Sequence, residues 1–154
     1  MRPILLLYRL AIAKMESAVN PAYFFIAASA AVLGALGGSH LLYTYRGNKL
    51  HPRDAGVRES MERSSLVITR QTTVWRANKG FNATHSLGII AFALIYGYLA
   101  LWRSSVLSGS HFLMALGGAV LLAYLVIARR YFFSIPFRGV ALACAMYGLG
   151  WALA

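Results

Sequence analysis

An all-α bundle of four transmembrane helices is the fold this chain is expected to adopt. Of its 154 residues, 59% are hydrophobic and 12% are charged, where an average soluble domain is roughly one quarter charged. The mean hydropathy is +0.61. So few charges cannot cover a water-facing surface, and disordered chains are polar and charge-rich. Four apolar segments, most of them bounded by basic residues, recur along the chain. Each must be a helix, because a lipid-exposed backbone has to satisfy its own hydrogen bonds and four segments are too few to close a barrel.

Segment 2–16 sets Arg2, Arg9, Lys14 and Glu16 among Ile4, Leu5, Leu7, Leu10, Ile12 and Met15. This pattern predicts an interfacial helix with its basic groups among the headgroups. Arg9 and Lys14 interrupt the apolar run of a signal peptide, and no small-x-small cleavage site follows cleanly, so the segment is expected to be retained. The first span covers about 21–45. It opens on Asn20, a capping side chain, and Pro21, which needs no N–H partner at a helix start. The second covers about 80–102 and closes on Trp102-Arg103. The third covers about 110–128 and is stopped by Arg129-Arg130. The fourth covers about 135–154, with Pro136 tolerated in the first turn and Arg138 snorkelling to the interface. Each approaches the roughly 20 residues a helical span needs.

The connection 46–79 is long enough to have structure of its own. Asp54 is placed to cap an amphipathic helix over Val57, Met61, Leu66 and Ile68, lying along the cytoplasmic face. Trp75 sits where an interfacial aromatic belongs. With no internal repeat and no low-complexity tract, residues 1–154 read as a single transmembrane domain.

Fifteen Lys and Arg against four Asp and Glu give a net charge of +11. No nucleic-acid recognition motif accompanies that charge, so a nucleic-acid partner is not expected. The charge instead orients the chain. Connections 46–79 and 129–138 hold eleven basic residues, and the opposite side holds four. The positive-inside rule then places both basic connections in the cytoplasm and both termini outside. Cys144, the one cysteine, lies in an apolar run and reads as a packing residue.

Three groups of residues bear on function. Ala30, Gly34 and Gly38 form a small-residue stripe on the first span, with Gly37 beside them, and Gly117 and Gly118 a second small patch on the third; both suit close helix packing or a dimer face. His40 and His85 lie near the cytoplasmic ends of the first and second spans, about one turn inside, among Ser39, Tyr43, Thr44, Asn82, Thr84 and Ser86. Ionisable groups at such depth default to a functional hypothesis. Two facing imidazoles suit haem iron, a metal shared with an added carboxylate, or a quinone-like molecule, and a hydrogen-bonded polar cluster is the structural alternative. His51 and His111 read as exposed loop or interface residues. Finally, Arg70, Arg76, Lys79, Arg129 and Arg130 gather on the cytoplasmic side, where they set topology and suit an anionic lipid headgroup.

Nothing points to catalysis. No Gly-x-Ser-x-Gly, phosphate loop, dinucleotide fingerprint or His/Glu metalloprotease spacing occurs. No carboxylate lies in any span, which argues against a proton-coupled pump. The Asn82-Ala83-Thr84 sequon falls on the cytoplasmic side of the membrane edge and is discounted.

Ser39-His40-Leu41-Leu42-Tyr43-Thr44, Thr69-Arg70-Gln71-Thr72-Thr73-Val74-Trp75 and Gly80-Phe81-Asn82-Ala83-Thr84-His85-Ser86-Leu87-Gly88 resemble a family of small, uncharacterised bacterial polytopic membrane proteins. The resemblance covers about half the chain. It implies a bacterial inner-membrane protein and carries over no functional residue. The small-residue stripes, short outer loops and absence of a catalytic constellation make the expected function that of a non-enzymatic accessory or structural subunit, packed in the bilayer against other membrane subunits or copies of itself. The alternatives are a haem-, metal- or quinone-binding protein using His40 and His85, and an anionic-lipid-binding protein.

Overall fold

Asn20 starts the first helix as its side chain predicts. Its Oδ1 accepts from the Ala22 N–H at 2.9 Å, at the head of α1 (Pro21–Tyr45). The computed structural model describes residues 20–154, so the interfacial helix expected over 2–16 lies outside them. After α1 come α2 (Ala55–Arg63), β1 (Ser65–Leu66), β2 (Thr69–Thr73), α3 (Val74–Trp102), α4 (Ser104–Ser108), α5 (His111–Tyr131) and α6 (Ser134–Leu153). The described chain is mostly helical, and α1, α3 and α5 are long and apolar enough to cross a membrane. Helix α6 has 20 residues and carries Pro136 and Arg138 in its opening turns, which lower its apolar character below that of the other three.

The long connection differs from expectation in one respect. Asp54 does cap α2, its Oδ1 accepting from the Gly56 N–H at 2.8 Å, and Arg58–Glu62 and Arg63–Glu59 pair along the helix. The helix nevertheless stops at Arg63 and never reaches Leu66 or Ile68. Those residues belong to a short antiparallel hairpin, with Val67 and Ile68 exposed at its turn. The β-branched Thr69, Thr72 and Thr73 lose side-chain freedom in a helix and suit the strand they form.

Helix α3 then begins at Val74 rather than near 80, with the Thr73 hydroxyl accepting from the Arg76 N–H at 3.3 Å. Apolarity located the span, but the polar turns around Arg76, Asn78 and Lys79 are helical as well. Helix α5 likewise runs past 128 to Tyr131, placing Arg129 and Arg130 in its last turn, where cations complement the helix dipole.

The chain divides into two compact units, one comprising residues up to Leu33 with Phe92–Ala154, the other Gly34–Ala91. In the first unit, Ala22, Ile26, Ser29, Ala30 and Leu33 form the buried stripe of α1. A Cβ built on Gly150 would lie 2.6 Å from the Ala22 carbonyl oxygen, so α6 meets α1 backbone to backbone. The Ser29 hydroxyl donates to the Ala143 carbonyl at 2.7 Å. Tyr96 and Tyr147 close on Gly117 from two helices and donate to the Leu113 and Met114 carbonyls at 2.7 and 2.9 Å. Cys144 packs as expected, its thiol 3.4 Å from the Leu121 carbonyl.

In the second unit the close approach is made by Gly37. A Cβ there would sit 2.9 Å from Ile89 Cγ2. Gly38, expected in that stripe, is exposed and a Cβ on it meets nothing within 4 Å; Gly34 is half-buried. The larger buried side chains of α1 choose the packing face, and that face runs through Leu33 and Gly37.

Candidate functional site

Gly37 brings α1 against α3, and one turn further along α1 His40 faces the residues around Asn82 and His85. The His40 and His85 ring centroids are 5.6 Å apart, edge to face at 83°. Both rings are half-buried. The two imidazoles singled out by sequence are thus brought together. Their place along the helices differs: His40 is near the end of α1, while His85 lies about three turns into α3, because α3 starts earlier than its apolar stretch.

Asn82 fixes the chemistry of His40. The Asn82 Nδ2 donates to the Asn78 carbonyl at 2.9 Å, and a carbonyl can only accept. That places Oδ1 toward His40, whose Nε2 lies 2.9 Å away. An amide oxygen only accepts, so His40 Nε2 carries the proton, and the lone pair of its neutral form is left on Nδ1. The polar neighbours are already used by the backbone. Thr44 Oγ1 donates to the His40 carbonyl and Ser86 Oγ to the Asn82 carbonyl, each at 2.8 Å. Ser39 donates to the Leu36 carbonyl.

A second cluster lies beside this pair in the same unit. His51 stacks edge-on against Trp75 at 5.0 Å, and the Arg58 guanidinium lies 5.1 Å from the Trp75 ring centre. Arg58 Nη1 donates to His51 Nδ1 at 3.1 Å. His51, expected as an exposed loop or interface residue, is half-buried against Trp75 and Arg58. Only its non-local contacts reveal this, and no spacing in the sequence encodes them. Lys79 lies over the Tyr45 ring at 5.6 Å and Lys49 over Tyr43 at 4.2 Å.

The five basic residues expected at a headgroup site fall in both units. Arg70 on β2 and Arg76 on α3 are exposed, with Lys79 half-buried beside them in sequence; Arg129 and Arg130 are exposed at the end of α5, Arg129 lying 5.5 Å from the Phe137 ring centre.

A crevice bounded by Thr44, His51, Trp75, Lys79 and Asn82 encloses about 10 Å³, room for one water at most, and neither His40 nor His85 lines it. Among the described residues no three His, Cys, Asp or Glu side chains converge on one point. A larger, open groove of about 390 Å³ lies along α2 beside Val57, Met61 and Val74. Its one acid, Asp54, is engaged as the helix cap. The chain matches no protein-family model, no curated protein and no solved structure, so each residue role rests on the geometry above.

Proposed function

We propose that this chain is a multi-pass inner-membrane protein whose helices α1, α3, α5 and α6 cross the bilayer, and that it is a non-catalytic packing subunit of a larger membrane assembly. The observation that carries this reading is how the polar groups of the helices are used. The Ser29, Tyr96 and Tyr147 hydroxyls and the Cys144 thiol all bond to backbone carbonyls of neighbouring helices. Among the described residues no buried side-chain nitrogen or oxygen lacks a partner. Such bonds fix helix pairs in a medium without water. Phe24, Leu94, Phe112 and Leu122 meanwhile project outward from the helices, a surface for lipid or another subunit to cover. Arg70, Arg76, Lys79, Arg129 and Arg130 serve in this reading as topology-setting charges at the cytoplasmic face, in contact with anionic headgroups. Both termini lie outside.

Native purification in mild detergent tests the subunit role. Co-elution with larger membrane proteins, kept through mild crosslinking, is the expected result; a lone monomer overturns it. Because Cys144 is the one cysteine, a Cys144→Ser background allows single-site labelling. A cysteine at Asn48 should react only from the cytoplasm and one at Ser108 only from outside.

A second reading is favoured by the 5.6 Å approach of His40 and His85. It makes the pair a small-ligand site within the membrane-embedded helices.

A further inference from the structure

We propose that His51, Arg58 and Trp75 form an acid-sensitive latch, which holds α2 against the start of α3 and releases it when the His51 imidazole takes up a proton.

The hydrogen bond to Arg58 decides the state of His51. A guanidinium only donates. Its Nη1 lies 3.1 Å from His51 Nδ1, so that nitrogen presents its lone pair and the ring is neutral, with its proton on Nε2. The same Arg58 covers the Trp75 ring at 5.1 Å, and the His51 ring meets Trp75 edge to face at 5.0 Å and 82°. Trp75 is buried, while His51 and Arg58 are half-buried. Three segments meet here: the turn after α1 through His51, α2 through Arg58, and the first turn of α3 through Trp75.

A second proton on the ring does not fit this arrangement. It would land on Nδ1, the nitrogen that accepts from Arg58, and set one N–H against another. It would also place two cations one hydrogen-bond length apart. Trp75 attracts an imidazolium too, but its ring centre is 5.0 Å away and already carries Arg58.

The other groups around His51 do not offset the new charge. On α2, Glu62 accepts from Arg58 Nε at 2.9 Å, Glu59 pairs with Arg63, and Asp54 accepts from the Gly56 N–H. From α3, Lys79 shares the crevice beside His51 with the neutral Asn78 and Asn82, and α1 contributes Thr44. Lys49, two residues before His51, lies over the Tyr43 ring. Arg58 keeps its bond to Glu62 when it swings off His51 and Trp75, which frees the contact that ties α2 to α3.

The released form binds one proton more than the latched form. Protons therefore favour release, and the hold on α2 is full at high pH and fades as the pH falls. Histidine ordinarily changes charge between about pH 5 and 8, whereas carboxylates ordinarily titrate at about pH 4. A change within the histidine range is thus separable from loss of the α2 cap and ion pairs.

The test is hydrogen exchange along Ala55–Arg63 in the full chain, in detergent micelles, between about pH 8 and 5, with rates corrected for the intrinsic pH dependence of exchange. Protection of α2 should fall roughly 10-fold over that range, the scale of one lost hydrogen bond to a charged group. His51→Gln offers Arg58 an acceptor at every pH and should abolish the dependence. Arg58→Ala should lower protection at both ends of the range and leave little dependence on pH. The unaltered protein gives a reading without any variant: nitrogen-15 shifts of the His51 ring should show a bare Nδ1 at high pH, and its protonation should coincide with the loss of α2 protection. Constant protection across the range overturns the proposal. So does a dependence that persists in His51→Gln, which would belong to His40 or His85 of the same unit. A His51 ring whose proton sits on Nδ1 at high pH overturns it as well.

Discussion

Tyr147 and Gly117 occupy one another's space. The Tyr147 hydroxyl donates to the Met114 carbonyl at 2.9 Å, and a Cβ added to Gly117 would collide with that same hydroxyl. Tyr96 Cε1 stands 2.6 Å from the same point. Only a residue without a side chain lets both rings reach α5.

Gly117→Ala should therefore destabilise the first unit more than any other single methyl addition on α5. Both rings belong to buried tyrosines, so neither can swing aside freely. Overpacking of this kind costs about 1–3 kcal/mol. Gly118→Ala meets the edge of Trp151 at 3.0 Å and Tyr147 at an ordinary 3.9 Å, and should cost less. Reversible unfolding in mixed micelles, read by tryptophan fluorescence, ranks the two. Equal midpoints would mean that the rings are not held where they are described.

Removing the hydroxyls should have smaller effects. Tyr147→Phe keeps the ring against Gly117 and loses one bond to a carbonyl. Interhelical hydrogen bonds in membranes average about 0.6 kcal/mol, because the unfolded chain also finds partners there. Ser29→Ala, which loses the 2.7 Å bond to Ala143, should fall in the same range. The same micelle unfolding assay applies. A loss of several kcal/mol from either would show that these hydroxyls do more than hold helices together.

Gly37 and Gly38 give a paired prediction on the second unit. A methyl on Gly37 lands 2.9 Å from Ile89 Cγ2, a branched side chain with little room to turn. Gly37→Ala should push α1 and α3 apart and lengthen the His40–Asn82 contact one turn along. Gly38→Ala meets open space and replaces a residue that is poor in helices, so it should be neutral or slightly stabilising. The histidine side-chain resonances report both effects, moving in Gly37→Ala and staying in place in Gly38→Ala. If Gly38→Ala instead disrupts a complex with other chains, its exposed face is an interface.

This pair also shows where sequence reading reaches and where it stops. The long apolar helices were legible because crossing a bilayer demands long apolar runs, and three helices are long and apolar enough to do so. The Asn20 and Asp54 caps were legible because capping is local. Which glycine faces the neighbouring helix was not, since glycine carries no side chain to mark a face and the stripe is set by Ile26, Ala30 and Leu33. The hairpin was missed because Leu66 and Ile68 fit a helical spacing as well as a strand, and nine residues of α2 gave no sign of where it ends. The meeting of His40 and His85 was anticipated from their shared distance to the loop. The Asn82 bond that decides which nitrogen of His40 carries the proton depends on rotamers, which no pattern of residues reveals. The grouping of His51, Arg58 and Trp75 depends on how α2 folds back, and the sequence holds no local sign of it.

Trp75 should prove the keystone of that last cluster. It is 8% exposed, with His51 on one side and the Arg58 guanidinium over its ring. Large-to-small changes at buried aromatic positions cost about 3–5 kcal/mol. A cation over an aromatic ring contributes about 0.5–2 kcal/mol, depending on how far it is desolvated. Trp75→Ala should therefore release α2, whereas Arg58→Ala should loosen it only modestly. Asp54→Ala should sit near the smaller effect, since losing a capping side chain costs about 1 kcal/mol. Hydrogen exchange along Ala55–Arg63 measures all three, and the exchange rates should rise in the order Asp54→Ala or Arg58→Ala, then Trp75→Ala. Unchanged protection of α2 in Trp75→Ala would mean that the helix is held by its own caps and ion pairs rather than by the aromatic ring beneath it.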